Sequence, residues 1–417
     1  MPPIYLHQTP RQTALERFLN ANRPEPATEM IPSRSSLGRI TAAPVLALRP
    51  VPGYDAAAMD GIAVRATATH GATDQRPVTL PPVTGYRPVD TGDPVPPGFD
   101  AVIRIEDLHF PPDQSVQILA PAVQFQHIRM AGEDLKRDEP LLPASHRIRP
   151  VDLGALLASG LSRIKVFARP RAAVIPTGDE LADPENELAP GQIPEFNGAV
   201  IAGYLSEWGA EPVVFPITRD RPADLTEAVR QALAETDLVI INAGSSAGRE
   251  DFTATVIAGL GDVLIHGVAT KPGKPTILGR CAGKPVVGLP GYPVSAYLAL
   301  EWFVRPLIYG YYGLPEPERP RIRARAGRRI VSEPGIEEFL RVSIERRDGR
   351  YVAHPLPRGA GAISSLVRAD GLLIVPANTL GYEKGEELEI ELFRSEPELS
   401  APAPQPLPTT DASRKGT

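Results

Sequence analysis

Cysteine is almost absent from the sequence, and Cys281 is the only one. A single cysteine cannot form a disulfide within the chain or a thiolate metal site, which is typical of proteins from a reducing cytoplasm. Runs of about 18 apolar residues are also absent, and residues 1–10 lack the basic start and apolar core of a secretory signal. The sequence therefore predicts a cytoplasmic protein that neither spans a membrane nor carries a visible signal.

An excess of positive charge is missing as well. Lysine and arginine number 44 against 50 aspartates and glutamates, a net charge of −6, which argues against a nucleic-acid partner. Lysine itself is scarce, with seven in the chain, yet two of the seven lie in residues 271–275. The seven histidines are scattered without ligand spacing, which argues against a zinc site.

Proline is abundant, with 48 in 417 residues, and it mostly marks the ends of folded segments. Apolar runs at 172–175, 212–215, 238–241 and 286–289 read as strands. They alternate with helical patterns at 197–208, where Asn197 is the expected cap, and at 222–234 and 293–309. This alternation predicts a mostly parallel sheet covered by helices, in a multi-domain α/β protein with additional small β-rich domains.

The pattern changes along the chain suggest domain boundaries. We expect an N-terminal helical and linker domain in 1–43 and 127–170, a small β-rich domain in 44–126, the α/β domain in 171–314, a C-terminal β domain in 315–395 and a disordered tail in 396–417. A short amphipathic helix is expected near the start, with Thr9 as its cap and Pro10 in its first turn.

Three strands of the α/β domain end in loops rich in glycine and small polar residues, at 177–181, 243–251 and 288–293. Ligands of open α/β sheets bind beyond the carboxyl ends of the strands, where glycines let the backbone approach a phosphate. Asp179, Glu180 and Asp251 add carboxylates of the kind that hold Mg²⁺. The plain alternative is that these glycines only form turns.

The segment Lys271-Pro-Gly-Lys-Pro275 places two ammonium groups in a loop that prolines stiffen, which favours an anion site over two solvated charges. Asp60, in DAAAMDGIAV, is read from the residues alone as a turn or capping aspartate. Thr91, Glu106 and Asp134 lie in acidic turns without an interpretation of their own.

In this order the motifs resemble those of the molybdopterin molybdenumtransferase family, the MoeA proteins and the E domain of gephyrin, from the first helix to about Phe393. The family pattern S-A-M-D-G-Y-A is close to residues 57–63, and R-I-x-T-G-A-x-x-P-x-G-A-D-A-V to 87–102. G-E-D, T-G-D-E-L, K-P-G-K-P and I-S-S-L-x-x-A-D-G match 132–134, 177–181, 271–275 and 363–371.

The resemblance implies an elongated four-domain homodimer with an active site shared between subunits. Such proteins bind adenylylated molybdopterin, use Mg²⁺, place molybdate or tungstate on the dithiolene and release AMP, and work beside other proteins of molybdenum cofactor biosynthesis. The resemblance also implies catalytic roles for Asp60, Asp134, Glu180, Asp251, Lys271 and Lys274, and metal binding by Glu180 and Asp251. It implies that the ligand is bound by Thr91, Thr177, Gly178, Gly244, Ser245, Ser246, Gly248, Pro290, Gly291 and Ser295. Glu106 would lie beside these residues in the cleft.

Three segments depart from the family pattern. Tyr292 stands where G-L-P-G-N-P has asparagine, Glu195-Phe-Asn197 replaces D-T-N, and Arg249 is added to the loop at 243–251. Two other functions therefore stay open: adenylyl transfer to molybdopterin, and a non-catalytic molybdopterin-binding or scaffolding paralogue.

Overall fold

The computed structural model describes residues 8–23, 25–111, 115–243 and 252–393. These residues form two compact units. One unit is Ala27–Ala168, and the other combines the described residues before Ala27 with those from Arg169 onward. The tail expected at 396–417 lies outside the described residues, and the expected domain boundaries remain predictions. Within the described part of the chain, no helix has the length and apolar character that a membrane span requires.

The first helix, α1 (Arg11–Ala21), follows a cap formed by Pro10, so the expected cap at Thr9 is displaced by one residue. Because proline has no backbone N–H, it is suited to this end of a helix. Ala14 and Phe18 of α1 are fully buried. Arg11 forms an ion pair with Glu337 at 2.7 Å, which attaches α1 to the C-terminal part of the same unit.

The unit Ala27–Ala168 is built from short strands and one helix. Its strands are β1 (Thr28–Pro32), β2 (Val45–Leu46), β3 (Ala56–Ala57), β4 (Gly61–Val64), β5 (Val78–Leu80), β6 (Tyr86–Val89), β7 (Ala101–Arg104), β8 (Leu108–His109), β9 (Val116–Ile118), β10 (Ile128–Arg129), β11 (Pro140–Leu142) and β12 (Arg163–Phe167), and its helix is α2 (Pro150–Ala158). Two three-stranded sheets, β6-β4-β7 and β5-β9-β8, enclose a small apolar core.

The α/β region of the other unit follows the expected alternation. Its elements are β13 (Arg171–Pro176), β14 (Leu181–Ala182), β15 (Ile193–Pro194), α3 (Asn197–Trp208), β16 (Glu211–Val214), α4 (Pro222–Glu235), β17 (Leu238–Ala243), α5 (Thr253–Leu260), β18 (Gly261–His266), β19 (Thr270–Lys271), β20 (Ile277–Cys281), β21 (Lys284–Pro290), α6 (Pro293–Ala299) and α7 (Arg305–Tyr311), the last two joined by a π-helical segment (Leu300–Val304).

The sheet order is β16-β13-β17-β21-β20-β18, with the first four strands parallel and the last two antiparallel. The expected mostly parallel sheet is therefore confirmed. In the register, Pro176 lies opposite Asn242, and Asn242 lies opposite Leu289. The carboxyl ends of β13, β17 and β21 consequently meet at one edge of the sheet.

The chain then forms a second six-stranded sheet. The elements of this C-terminal part of the chain are β22 (Arg321–Ala326), β23 (Ile330–Val331), β24 (Glu337–Arg347), β25 (Arg350–Pro355), α8 (Ile363–Val367), β26 (Gly371–Val375), β27 (Gly381–Tyr382) and β28 (Glu387–Leu392). The sheet order is β19-β24-β25-β22-β28-β26. Because β19 pairs in parallel with Glu337–Glu338 of β24, the lysine loop that follows β19 is attached to this sheet.

Candidate functional site

A cavity of about 920 Å³ opens at the carboxyl ends of β13, β17 and β21. Its walls come from the α/β region, from the lysine loop at 271–275 and from two segments of the C-terminal sheet region around Glu333 and Gly361. This volume is typical of a pocket for a small-molecule ligand. This cavity is therefore the candidate functional site.

One wall is the turn that follows β13. Thr177 is buried and its backbone N–H donates to the carbonyl of Asn242 at 2.9 Å, which continues the strand pairing to the rim of the cavity. Gly178 has a positive φ of 155°, and a side chain added there would lie 2.8 Å from the Glu180 carboxylate. Thr177 and Glu180 line the cavity, and Gly178 gives the turn its shape.

A second part of the wall is the lysine loop. Both Lys271 and Lys274 line the cavity. Between them, Gly273 has a positive φ of 101°, and a side chain added there would approach the Trp302 ring to 2.7 Å. The hydroxyl of Thr276 donates to the Gly273 carbonyl at 2.7 Å, which closes the loop. Only glycine fits this position, so the backbone conformation of the loop depends on it, and the lysines on either side both border the cavity.

Two asparagines connect the floor of the cavity to the loop after β21. Asn197 Nδ2 donates to Asn242 Oδ1 at 3.0 Å and to the Gly291 carbonyl at 2.7 Å, and Asn242 Nδ2 donates to the Pro290 carbonyl at 3.0 Å. The expectation that Asn197 caps α3 is wrong. The Glu195 carboxylate accepts from the N–H of Gly198 at the start of α3, and the Asn197 amide is thereby free to bind the loop.

Ser295 and the two aromatic departures from the family pattern lie at the same rim. Ser295 is buried in α6 and lines the cavity together with Pro290 and Gly291. Phe196 and Tyr292 also line it. The Tyr292 side chain is 60% exposed, and a side chain added at Gly361 would lie 3.5 Å from its ring. Tyr292 therefore both borders the cavity and packs beside the C-terminal region.

Carboxylates gather near the turn after β13. Burial first, and then the charges of Glu180 and Asp179, raise the pKa of the half-buried Asp220. A site where carboxylates repel one another is electrostatically favourable for a cation. Asp220 had no part in the sequence-based prediction, because nothing in its loop at 215–221 marks it as different from a surface turn.

A carboxylate from the C-terminal region faces the lysine loop. Glu333 Oε1 accepts a hydrogen bond from Lys271 Nζ at 2.7 Å, and both residues line the cavity. The hydrogen bond from Lys271 and its charge hold the pKa of Glu333 below its ordinary value. The hydroxyl of Thr270, immediately before the loop, is buried and has no hydrogen-bond partner among the described residues.

The unit Ala27–Ala168 holds a second set of expected residues. Asp60 Oδ1 accepts from the backbone N–H of Thr91 at 2.6 Å and from its hydroxyl at 2.7 Å, and these bonds lower the pKa of Asp60. Gly61 follows with a φ of 155°, and a side chain there would lie 2.0 Å from the Ile103 carbonyl. Because β4 pairs with β6 and β7, Asp60, Thr91 and Glu106 lie at one end of this sheet.

Asp134 lies in a separate exposed loop of that unit. Its backbone N–H donates to the carbonyl of Val51 at 3.0 Å, and the side chain is exposed to solvent. Gly132, which precedes it, has a positive φ of 76°. The structure therefore presents Asp134 on a fixed turn, and its expected catalytic role stays a prediction.

Comparisons with known proteins agree with these motifs. Residues 9–160 match the MoeA N-terminal region (domain I and II), residues 173–310 match a probable molybdopterin binding domain, and residues 323–393 match the MoeA C-terminal region (domain IV). Molybdopterin molybdenumtransferase 2 of Mycobacterium tuberculosis H37Rv is 34% identical over 382 residues, which are 86% of this chain and 94% of the relative. The chain belongs to the molybdopterin molybdenumtransferase family.

Solved structures agree with this assignment. The molybdopterin biosynthesis MoeA protein of Pyrococcus horikosii has 34% sequence identity and a TM-score of 0.80, and the match covers 93% of this chain and all of that chain. The molybdopterin molybdenumtransferase of Nostoc sp. is 30% identical over 87% of this chain and 88% of its own length. Family membership confirms the expected fold class, the expected enzyme class and the expected role in molybdenum cofactor biosynthesis.

Several residues that the resemblance assigns to the site lie outside the described residues. These are Gly244, Ser245, Ser246, Gly248 and Asp251. Around the cavity the structure brings together Thr177, Glu180, Lys271, Lys274, Pro290, Gly291 and Ser295. The individual roles of all these residues stay predictions.

Sequence reasoning missed Asn242 and Glu333 as residues of the site, and Asp220 as a carboxylate beside it. Asn242 left one signal, since it is a buried polar residue at the end of the apolar strand Leu238–Ala243. Glu333 left none, because it comes from a turn more than fifty residues beyond the lysine loop. Only the pairing of β19 with β24 brings the two segments together.

Proposed function

We propose that the protein binds adenylylated molybdopterin in the cavity, hydrolyses its adenylate link, places molybdate on the dithiolene and releases AMP. The observation that carries this proposal is that side chains of both charge types border one cavity. The lysine loop contributes Lys271 and Lys274, and the turn after β13 contributes Glu180, with Asp179 and Asp220 near it. A ligand that carries phosphate, a bound cation and an oxyanion matches such an arrangement.

The lysine loop is suited to oxyanions. Gly273 and the prolines on either side hold the loop, so that Lys271 and Lys274 lose little further freedom when an anion binds. Charge-assisted hydrogen bonds from ammonium to phosphate or molybdate oxygens are roughly twice as strong as neutral ones. The unpaired hydroxyl of Thr270 adds a buried donor beside them.

The apolar part of the lining is suited to a ring system. Ile193, Pro194 and Phe196 form one side of the cavity. A planar pterin or adenine ring packs well on apolar and aromatic side chains, and the polar groups at the rim then fix its orientation. We therefore assign the heterocyclic end of the ligand to this side and the charged end to the lysine loop.

The carboxylates near the turn after β13 are suited to a Mg²⁺ ion that is held by two carboxylates and by phosphate oxygens of the substrate. Among the described residues no group of three His, Cys, Asp or Glu side chains lies close enough to form an all-protein site. Mg²⁺ often binds through one or two carboxylates, with phosphate oxygens and water completing its shell. Glu180 and Asp220 would hold it here, with Asp251 as the expected further ligand. When bound, the ion supplies positive charge for the phosphate oxygens.

A homodimer with a shared site is part of the proposal. Asp60, with its carboxylate fixed by Thr91, would act on the ligand from the partner subunit. Mixing an inactive Asp60→Ala protein with an inactive Asp251→Ala protein should restore part of the activity, because a mixed dimer has one site with both aspartates. Absence of rescue after verified subunit exchange would contradict the shared site. We also assign the protein to the cytoplasm, beside other proteins of molybdenum cofactor biosynthesis.

Product analysis tests the reaction against the two alternatives. Incubation with adenylylated molybdopterin, molybdate and Mg²⁺ should yield AMP and a molybdenum-loaded pterin. An adenylyltransferase would instead consume ATP and molybdopterin and release pyrophosphate. A non-catalytic paralogue would bind the adenylate without turnover, and either of these outcomes would overturn the proposal.

A further inference from the structure

Glu333 is an acidic residue beside the lysine loop that borders the cavity. It lies in the turn between β23 and β24, and its carboxylate accepts a hydrogen bond from Lys271 Nζ at 2.7 Å. This distance is typical of a charge-assisted hydrogen bond between ammonium and an oxyanion. The carboxylate of Glu333 thus makes with Lys271 the contact that a phosphate or molybdate oxygen would make.

The surroundings of Glu333 are cationic beyond Lys271. The positive charges of Arg358 and Lys274 add to Lys271 in lowering the pKa of Glu333. Glu333 therefore lies at a point within reach of three positive charges, of which that of Arg358 is also paired with Glu338. Such a point is where an external anion is bound most favourably.

The ion pair is solvated and is not part of a buried framework. The side chains of Lys271 and Glu333 are 44% and 62% exposed. By contrast, the neighbouring Glu338 is 3% exposed and pairs with Arg358 at 3.3 Å, as a structural ion pair does. Because exposed ion pairs contribute little to stability, Glu333 can leave Lys271 without disturbing the fold.

We propose that Glu333 is an internal competitor that occupies Lys271 until an oxyanion displaces it, and that it thereby sets the affinity of the site for free oxyanions. This proposal rests on the proposed function, because it takes Lys271 to be a residue that binds the oxyanion. A tethered carboxylate competes at a high effective concentration, so weakly bound anions are excluded. Its negative charge also opposes any anion that binds nearby.

The test is calorimetric titration with molybdate alone, and separately with sulfate, at fixed ionic strength and without pterin. Glu333→Gln keeps the shape of the side chain and removes its charge. We expect this variant to bind molybdate about 3- to 10-fold more tightly than the unaltered protein. Glu383→Gln is the matched control, because Glu383 forms an exposed pair with Arg329 in the same C-terminal region and does not line the cavity. It should leave the affinity unchanged.

Several outcomes would overturn the inference. Unchanged or weaker molybdate binding in Glu333→Gln would show that Glu333 supports the site and does not compete. Equal tightening in Glu383→Gln would show a general effect of net charge, and absence of binding in every variant would exclude an oxyanion site at Lys271. Melting curves of Glu333→Gln and of a second variant, Glu333→Ala, check that each variant retains the fold.

A kinetic readout separates this inference from the proposed function. Glu333→Gln should lower the KM for molybdate in AMP release by a similar factor. If the unaltered protein releases no AMP, the proposed function fails, but the molybdate titration still decides the role of Glu333.

Discussion

Asn197 and Asn242, which both line the cavity, are hydrogen-bonded to each other at 3.0 Å. Asn242 also donates to the carbonyl of Pro290 at the end of β21, and Asn197 to that of Gly291 just after it. Asn197 comes from the start of α3 and Asn242 from the end of β17. The pair therefore joins three elements of the α/β region at the edge where the ligand is expected. A loop held in this way keeps Pro290 and Gly291 in place before the ligand arrives.

Replacement of Asn242 should affect both stability and binding. Asn242→Ala removes the side-chain donor of the Pro290 carbonyl and one of the two acceptors of the Asn197 amide, which keeps its bond to Gly291. A buried polar group that loses its partner costs about 1–3 kcal/mol. We expect a lower melting temperature and weaker binding of the pterin adenylate, measured by thermal unfolding and calorimetry. Asn186→Ala, at an exposed turn, is the control. A variant that binds and melts as the unaltered protein does would disprove the role of the pair.

The lysine loop should dominate the affinity for the adenylate. Lys271→Ala and Lys274→Ala each remove a charge-assisted hydrogen bond, which costs about 1.5–3 kcal/mol or roughly 10- to 150-fold in affinity. Calorimetry with adenylylated molybdopterin measures the change. Lys384→Ala, an exposed lysine of the C-terminal region that does not line the cavity, should bind normally. Unchanged affinity in both loop variants would exclude the loop as the anion site.

Asp220 predicts a specific dependence of stability on pH. Its pKa is raised in the folded protein, so the native state holds the proton to higher pH than the unfolded chain does. Stability is therefore lost as pH rises from the ordinary aspartate pKa of 3.8 through the raised value. Asp220→Asn should raise the melting temperature at neutral pH and have no effect below the ordinary pKa. The effect should disappear at saturating Mg²⁺ if Asp220 holds the ion, and equal melting temperatures at neutral pH without Mg²⁺ would contradict this account.

Tyr292 should influence the pterin adenylate more than the choice of oxyanion. Its ring borders the cavity and lies beside Gly361, where it restricts space. Molybdate and tungstate are nearly isosteric, so a ring cannot separate them by size. Tyr292→Asn should change adenylate affinity or turnover, measured by steady-state kinetics with both oxyanions. A tenfold shift in the molybdate-to-tungstate ratio, about 1.4 kcal/mol, at constant adenylate affinity would refute this view.

The sequence predicted those parts of the site that follow from local pattern. The apolar run at 238–241 predicted a buried strand, and the two prolines at 272 and 275 predicted a stiff loop that carries Lys271 and Lys274. The need for glycine at 273 became visible only in the structure. The expected cap at Asn197 failed because the sequence does not show that its amide reaches Gly291, 94 residues further along the chain. Glu333 was missed for a similar reason, since its contact with Lys271 depends on the pairing of β19 with β24.

The most direct test of the central claim is AMP release from adenylylated molybdopterin as molybdate is added in the presence of Mg²⁺. The account predicts one AMP for each molybdenum atom transferred to the pterin, with the rate rising with molybdate to saturation and falling by roughly tenfold or more in Lys274→Ala. AMP release that is absent, or that ignores both molybdate and the lysine loop, would contradict it.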